Sequence, residues 1–298
     1  MTNKNVAFAE SALVVITVIW GLGFPITKIA VNSGFGANTI MVGRFLTASI
    51  LLSLVYFRRF KNINKQILKY GTITGLFLFF GFYFQTLGNI HTTPSKNGFI
   101  TQLNIVFVPY LYFLFFKKKV DIYNVISVVM ALIGMLVLVY DDGFLNKINL
   151  GDVFTFICAI MIAFNIVTAS FYQKKYDFDP ALFVLINILV SMVLSIIFML
   201  MFDEIPLNIS IIDLWPLLFL GVLNTALGFL VQSYALKISI PTRISLIVAL
   251  ESVFAAIGSV LIINEILSLQ IVIGGLFIIS GILITEVKPF HSKLVKFT

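Results

Sequence analysis

Residues 241–263 read PTRISLIVALESVFAAIGSVLII. The segment is apolar, is long enough to cross a bilayer as a helix, and carries one acid, Glu251, about halfway along. At ~1.5 Å per residue, Glu251 lies about 15 Å from the start of the segment, near the middle of a hydrocarbon core of ~30 Å. A carboxylate at this depth costs about 2.5–3.5 kcal/mol, so it requires a partner, a cavity or a proton. Two interpretations follow: a protonated, hydrogen-bonded structural glutamate, or an acid that takes part in function.

The composition of the chain is that of a polytopic membrane protein. Sixty per cent of the residues are hydrophobic and 11% are charged, with a mean hydropathy of +1.07, which excludes a soluble globular domain. The net charge of +7 does not indicate a nucleic-acid partner, because the basic residues lie in short loops between apolar segments. Cys158 is the single cysteine, so no internal disulfide is expected. The expected surroundings are the lipid bilayer.

Ten apolar segments follow one another with short connections, and each is long enough for a transmembrane helix. The first segment lacks a small-residue cleavage site, so we interpret it as a retained helix. The sequence therefore predicts an all-α membrane protein with ten transmembrane helices. The segments are 9–31, 37–57, 68–89, 94–116, 120–140, 151–172, 180–202, 212–235, 241–263 and 267–286.

The basic residues between the segments predict the orientation of the chain. Sixteen Lys and Arg residues lie at one set of segment ends, and only Lys147 lies at the opposite set. Cytoplasmic loops carry this excess of positive charge, so both termini are expected in the cytoplasm and the chain in the plasma membrane. The sixteen are Lys4, Arg58, Arg59, Lys61, Lys65, Lys69, Lys117, Lys118, Lys119, Lys174, Lys175, Lys237, Arg243, Lys288, Lys293 and Lys296.

Three further cations, Lys28, Arg44 and Lys96, lie within segments, each near the predicted outer end. Long basic side chains at such positions often extend to the lipid headgroups. Alternatively, the three form an electropositive vestibule that attracts an anionic or zwitterionic solute. The sequence leaves both interpretations open.

A shift of 147 residues superposes the two halves of the chain without a gap from about residue 81 to 136. Each half holds five segments, and because five is odd, the second half must cross the membrane in the opposite sense. Inverted repeats are an architecture of secondary transporters, which bind solute near the midplane and expose it to each side in turn. The matched pairs include Gly81 with Gly228, Phe82 with Phe229, Gln85 with Gln232, Pro94 with Pro241, and Lys96 with Arg243.

The repeat divides the chain into a first five-helix unit, 1–142, a second inverted unit, 148–288, and a cytoplasmic tail, 289–298. Within the units, small residues seven positions apart predict close helix contact in the fifth and tenth segments. These are Ser127 and Gly134 in the first unit, and Gly274 and Gly281 in the second.

The same shift pairs Asn104 with Glu251, so two polar side chains lie mid-bilayer at equivalent points. If the fourth and ninth segments line one cavity, both side chains face it. Trp20 and Phe24 belong to a first segment interrupted by Gly and Pro, as expected beside a cavity or in the core. For each polar residue the alternative is a hydrogen bond between helices worth about 0.6 kcal/mol. The predicted solute-binding residues are Trp20, Phe24, Lys28, Gln85, Asn104, Asn165, Gln232 and Glu251, with Gln85 and Gln232 near the two mouths.

Four stretches of the chain form a recognisable pattern: WGLGFPITKIAV from residue 20, GRFLTASILL from 43, SKNGFITQLNIVFVP from 95, and ALESVFAAIGSVLIINEILSLQIVIGGLFIISGILI from 249, which covers the last two segments. Together they resemble the drug/metabolite transporter superfamily, specifically its ten-helix EamA-type permeases. Two positions depart from the family pattern: Lys118 stands where a Glu is common, and Ser252 replaces a common Pro. The resemblance implies a plasma-membrane permease with a central cavity, which exports or sometimes imports amino acids, other small metabolites or drugs.

These observations predict a secondary transporter of small polar or amphipathic metabolites that works by alternating access, with export as the favoured direction. Glu251 is expected to bind an amine of the solute or to carry a coupling proton. The alternatives are an importer of a small cation such as a quaternary amine, which aromatic side chains can bind, and a non-transporting membrane receptor or scaffold. No cofactor or metal is expected, and no motif of an enzyme is found.

Overall fold

The computed structural model describes residues 3–117, 122–139, 149–202 and 210–294, which form helices joined by short connections, with no strand among them. The predicted boundary between the two units at 142–148 lies outside the described residues, as do Lys118, Lys119, Lys147 and Lys296. The first half contains α1 (Asn3–Asn32), α2 (Ala37–Tyr56), a 3₁₀ turn (Phe57–Asn62), α3 (Lys65–His91), α4 (Pro94–Thr101), α5 (Asn104–Phe116) and α6 (Ile122–Val139).

The second half begins with α7 (Leu150–Tyr176) and α8 (Pro180–Phe202), followed by a 3₁₀ turn (Ile211–Leu214) and α9 (Trp215–Phe219). A π-helical turn (Leu220–Leu227) joins α9 to α10 (Gly228–Ile238). The last helices are α11 (Pro241–Val248), α12 (Glu251–Ile263) and α13 (Leu269–Leu294). Helix α13 continues past residue 288, so most of the predicted tail extends this helix.

Seven of the predicted segments are confirmed as helices that are apolar and long enough to span a bilayer. They correspond to α1, α2, α3, α4 with α5, α7, α8, and α9 with α10. The remaining three predicted segments coincide with α6, α11 with α12, and α13. Leucines on the last two, such as Leu261 and Leu276, expose 76% and 58% of their surface, which suits a lipid-facing helix.

The helix bounds of the two halves recur at the 147-residue shift. Helices α4 and α11 begin at Pro94 and Pro241 and end at Thr101 and Val248, and α5 and α12 follow after the same two-residue interruption. Both α5 and α12 end in a left-handed residue, Lys117 with φ 57° and Asn264 with φ 53°. The local backbone is therefore duplicated across this part of the chain.

Helix packing follows the same exchange of halves. Helix α3 packs along α7, and the counterpart of α3, the α9–α10 segment, packs along α1. Likewise α5 packs on α7, and its counterpart α12 packs on α1. Helix α2 packs against α8, and helix α6 packs against α13. Each of these contacts joins one half to the other, so the two halves form a single helical body.

The small-residue stripes of the fifth and tenth segments, which predicted close helix contact without naming a partner, face each other in the α6–α13 pair. The Ser127 hydroxyl donates to the carbonyl oxygen of Gly281 at 2.6 Å. A Cβ added to Gly134 would lie 2.6 Å from the carbonyl oxygen of Gly274. Small side chains at these positions let the two backbones approach, which larger residues would prevent.

Candidate functional site

The interruptions of the fourth and ninth segments are tight turns rather than gaps. In the first, the amide groups of Gln102 and Leu103 donate to carbonyl groups three residues earlier, at 3.2 and 3.0 Å. In the second, Leu250 donates to Ile247 in the same way at 3.2 Å. Such 3₁₀ stretches within a helix often mark hinges. They make Asn104 and Glu251 the first residues of α5 and α12.

A cavity lies beside these two turns. The cavity and its open mouth enclose about 460 Å³ of space unoccupied by protein atoms. Six of the eight predicted site residues line it: Trp20, Gln85, Asn104, Asn165, Gln232 and Glu251. The other lining residues are Phe82, Thr101, Gln102, Ile162, Asn224, Phe229 and Val248. We call this space the main cavity.

The acid of the main cavity is linked to Asn104 through an intervening amide. Gln102 donates its Nε2 to Glu251 Oε2 at 3.2 Å, and Asn104 donates its Nδ2 to Gln102 Oε1 at 3.3 Å. Asn104 and Glu251 therefore belong to one hydrogen-bonded chain in which Gln102 is the link. Among the described residues, the buried Asn104 Oδ1 has no hydrogen-bond partner, which leaves an acceptor available beside the cavity.

Three aromatic rings form the apolar part of the main cavity. The ring centroids of Trp20 and Phe229 are 5.4 Å apart, and those of Phe82 and Phe229 are 5.5 Å apart in an edge-to-face arrangement. These distances fall within the favourable range for aromatic pairs. A carboxylate, amides and aromatic faces together suit a solute that carries an amine and an apolar group.

Trp20 is held by the π-helical turn. Its indole Nε1 donates to the backbone oxygen of Asn224 at 2.6 Å, and the Asn224 side chain donates to the backbone oxygen of Ile19 at 3.2 Å. Gly228 lies against the indole so closely that an added Cβ would overlap it. The π turn and a glycine thus fix the orientation of the ring at the cavity.

Arg44 is buried inside the protein and does not extend to lipid headgroups. Its side chain is only 2% exposed, and its guanidinium lies 4.0 Å from the centroid of the Phe82 ring. Nη2 donates to Asn224 Oδ1 at 2.6 Å, and Nε donates to Thr225 Oγ1 at 3.0 Å. The snorkelling interpretation is therefore wrong for Arg44.

Arg44 and Phe24 line a second, smaller cavity, which together with its opening encloses about 240 Å³ of space unoccupied by protein atoms. Gln85 and Asn224 line both cavities, so the two spaces adjoin. The sequence analysis predicted Phe24 and Trp20 in one solute-binding site, but Phe24 borders the smaller cavity and not the main one. We call this space the side cavity.

Lys28 and Lys96 line neither cavity, because each ammonium group is engaged elsewhere. Lys28 Nζ donates to the backbone oxygen of Asn89 at 2.8 Å, near the end of α3, where cations satisfy the last carbonyl groups. Lys96 forms an ion pair with Asp152 at 2.7 Å. The three cations therefore do not form one vestibule lining in this conformation.

The ion pair of Lys96 has a counterpart at the matched position of the second half. Arg243, which the repeat aligns with Lys96, pairs with Glu10 at 3.0 Å. The Lys96 pair connects α4 to α7, and the Arg243 pair connects α11 to α1. The second two helices are the repeat counterparts of the first two. Glu10 is further held by the Ser239 hydroxyl, which donates to it at 2.8 Å.

Sequence reasoning left several lining residues out of the candidate site. The repeat matches Phe82 with Phe229, and this shared register is a signal that could have placed both rings at the cavity. Gln102 could not be assigned from the sequence, because its role as a bridge between Asn104 and Glu251 depends on the turn between α4 and α5.

Comparison with known proteins agrees with this architecture. The EamA-like transporter family matches the chain at residues 7–140 and 149–287. An uncharacterized transporter of Archaeoglobus fulgidus is 28% identical over 283 residues, covering 94% of this chain and 86% of that protein. The uncharacterized transporters YoaV and YdfC of Bacillus subtilis are 23% and 24% identical, covering 91% and 97% of this chain and 94% of each relative.

A solved crystal structure shares the fold with a TM-score of 0.69 at 15% identity, covering 92% of this chain and 96% of that one. The spanning helices, the family match and the transporter relatives agree with one another. The chain is a multi-pass membrane protein that belongs to the EamA-like transporter family.

Proposed function

We propose that this protein is a secondary transporter that moves small polar or amphipathic metabolites across the plasma membrane, with export as the favoured direction. The observation that carries the proposal is the main cavity, which adjoins two matched helix turns and contains Glu251. In this proposal ten helices cross the membrane, the second five-helix unit, 148–288, is inverted relative to the first, 1–142, and both termini are cytoplasmic.

The duplicated backbone supports alternating access as the mechanism. Two equivalent halves can exchange conformations, which closes the cavity on one side as it opens on the other. The matched ion pairs Lys96–Asp152 and Arg243–Glu10 suit this exchange, since they tie equivalent helix pairs. In the inverted arrangement they act at opposite ends of the cavity.

Within the main cavity, Glu251 is the group that recognises a cationic part of the solute or carries a coupling proton. Gln102 orients its carboxylate, and Asn104, Asn165, Gln85 and Gln232 supply further hydrogen-bonding groups. Trp20 contributes an apolar face, and Phe24 closes the adjoining side cavity. Lys28 acts indirectly, by holding the end of α3.

Replacement of Glu251 by Gln tests the proposal in proteoliposomes. The substitution keeps the size of the side chain and removes its charge and its titration. A charge-assisted hydrogen bond contributes about 1.5–3 kcal/mol, so we expect transport of a bound amine to fall about tenfold to a hundredfold. Glu265→Gln is the matched control, because Glu265 lines neither cavity and accepts from the backbone of Ser95 at 3.3 Å. Unchanged transport and pH dependence in the Glu251 variant would remove this acid from the mechanism.

A second candidate is import of a quaternary amine, which the aromatic wall of Trp20, Phe82 and Phe229 favours. Such a cation would lie against the rings beside Glu251 without needing hydrogen-bond acceptors. A thermal-shift comparison of choline-like cations with amino acids separates the two candidates. Stabilisation by choline-like cations alone would favour the importer.

A further inference from the structure

The side cavity holds a buried charge that the transport proposal does not use. Arg44 is 2% exposed, and the partners of its guanidinium are the neutral oxygens of Asn224 and Thr225. The other basic side chains that form ion pairs, at Arg59, Lys96, Lys237 and Arg243, each have a carboxylate within 3.0 Å. Among the described residues no carboxylate lies within 4.0 Å of Arg44.

Burial of an unpaired charge is costly, and neutral acceptors compensate for it only in part. The two hydrogen bonds and the Phe82 ring instead hold the planar guanidinium in one orientation. A guanidinium held in this way retains donors that match the two oxygens of a carboxylate. The arrangement fixes the group, and no carboxylate of the described residues forms an ion pair with it.

The two threonine hydroxyls that line the side cavity donate to the backbone, whereas the buried Asn89 Oδ1 has no hydrogen-bond partner among the described residues. The Thr27 hydroxyl donates to Gly23 at 2.7 Å, and the Thr86 hydroxyl donates to Phe82 at 2.8 Å. Arg44 is therefore the strongest donor that borders the side cavity, with the Gln85 amide beside it. An anionic group entering this space would meet the guanidinium first.

The two cavities carry opposite charges and share part of their walls. Glu251 lines the main cavity, Arg44 lines the side cavity, and Gln85 and Asn224 line both. In the part of the chain that the structure describes, Arg44 and Glu251 do not form an ion pair with each other. A solute that spans the shared wall can thus neutralise both charges at once, with its cationic group at Glu251 and its anionic group at Arg44.

We infer that Arg44 forms an anion subsite in the side cavity, which takes the carboxylate of a solute whose amine lies at Glu251. The inference rests on the proposed transport function and adds a requirement to it. Removal of the carboxylate from the solute should weaken binding even when the amine and the side chain are unchanged. Asn224 and Thr225 are positioning residues for the guanidinium.

The test compares amino acids with their own amides in binding and transport by the full-length protein. The probes are glycine, leucine, glutamine and phenylalanine, each paired with its amide, which keeps the amine and removes the negative charge. For at least one pair we expect the wild-type protein to prefer the amino acid by tenfold or more. In Arg44→Gln this preference should vanish while the affinity for the amide stays within about twofold.

Arg44→Lys and Thr225→Val serve as matched variants. The lysine variant keeps the charge, so it should retain part of the preference, and the valine variant removes one positioning bond and should weaken it only partly. Melting temperatures identify a variant that fails to fold, and in that case the wild-type comparison alone decides. Equal affinity of the wild-type protein for both members of every pair overturns the inference, as does an equal loss for amino acid and amide in Arg44→Gln.

The outcomes separate the two proposals. Absence of transport for every class of solute contradicts the proposed function itself. Transport of amines or other solutes, with no preference for a carboxylate and no binding of any amino acid, contradicts only the anion subsite.

Discussion

The Lys96–Asp152 pair should control the conformation of the transporter much more strongly than its counterpart in the second half. Its charged atoms are 2.7 Å apart, and the side chains are only 14% and 4% exposed. Lys96→Met would leave the buried Asp152 with the Thr92 hydroxyl, which donates to it at 3.0 Å. Removal of one partner from a buried pair costs about 3–5 kcal/mol. If the pair forms in only one conformation of the transporter, its removal would shift the equilibrium between the conformations on the order of a hundredfold to a few thousandfold.

The matched pair in the second half should contribute far less. Arg243 is 56% exposed at its side chain, so solvent screens its interaction with Glu10. Exposed ion pairs contribute about 0.2–1 kcal/mol, which corresponds to a shift of at most about fivefold for Arg243→Met. Glu10 would also retain the hydrogen bond from Ser239.

Cysteine accessibility measures this difference directly. Gln232→Cys in a Cys158→Ala background places one thiol at the main cavity, and a membrane-impermeant maleimide is added to one side at a time. We expect Lys96→Met to increase labelling from one side strongly and Arg243→Met to change it little. The double variant Lys96→Asp and Asp152→Lys, which exchanges the two charges, should restore the wild-type labelling pattern. If Lys96→Met lowers the melting temperature without changing labelling, the pair is a static structural bond and the reasoning fails.

Three further predictions concern single contacts. Trp20→Phe removes the donor to the Asn224 backbone, so we expect a loss of about 0.5–1.5 kcal/mol in thermal stability and reduced transport; an unchanged melting temperature would contradict this. Gly228→Ala forces the Trp20 indole away, which should lower the free energy of unfolding by about 1–3 kcal/mol. Full stability and full transport in this variant would show that the ring has room to move. The Lys237 ammonium lowers the pKa of Asp177, so its stabilisation is present above about pH 4 and is lost as pH falls through the lowered pKa. Asp177→Asn should therefore lower the melting temperature slightly at pH 7, and the difference should disappear once the pH falls below the lowered pKa of Asp177. A larger difference at low pH would contradict the assignment.

Much of the candidate site could be predicted because it depends on position along a helix. Hydropathy places Glu251 at mid-depth, and the 147-residue shift assigns Asn104 to the equivalent point. Both residues follow the same turn in matched helices, so the register of the repeat predicts that both line one cavity. Trp20, at a similar depth in the first segment, lines the same cavity.

Predictions for the long basic side chains were less successful, because their ends reach several possible partners. Lys28, Arg44 and Lys96 look alike in the sequence as cations near segment ends. In the structure one binds helix carbonyl groups, one contacts Asn224 and Thr225, and one pairs with Asp152. The π-helical turn that offers Asn224 to Arg44 has no counterpart in α3, so the repeat could not predict it.

The sequence by itself determined the membrane class, the apolar segments and the internal register, because each depends on the order of residues along the chain. Only the tertiary structure decided which side chains meet: Gln102 with Glu251, Arg44 with the π turn, and Lys96 with Asp152. These contacts depend on how helices from the two halves cross, and a rotation of one residue about a helix axis, ~100°, would direct each side chain elsewhere.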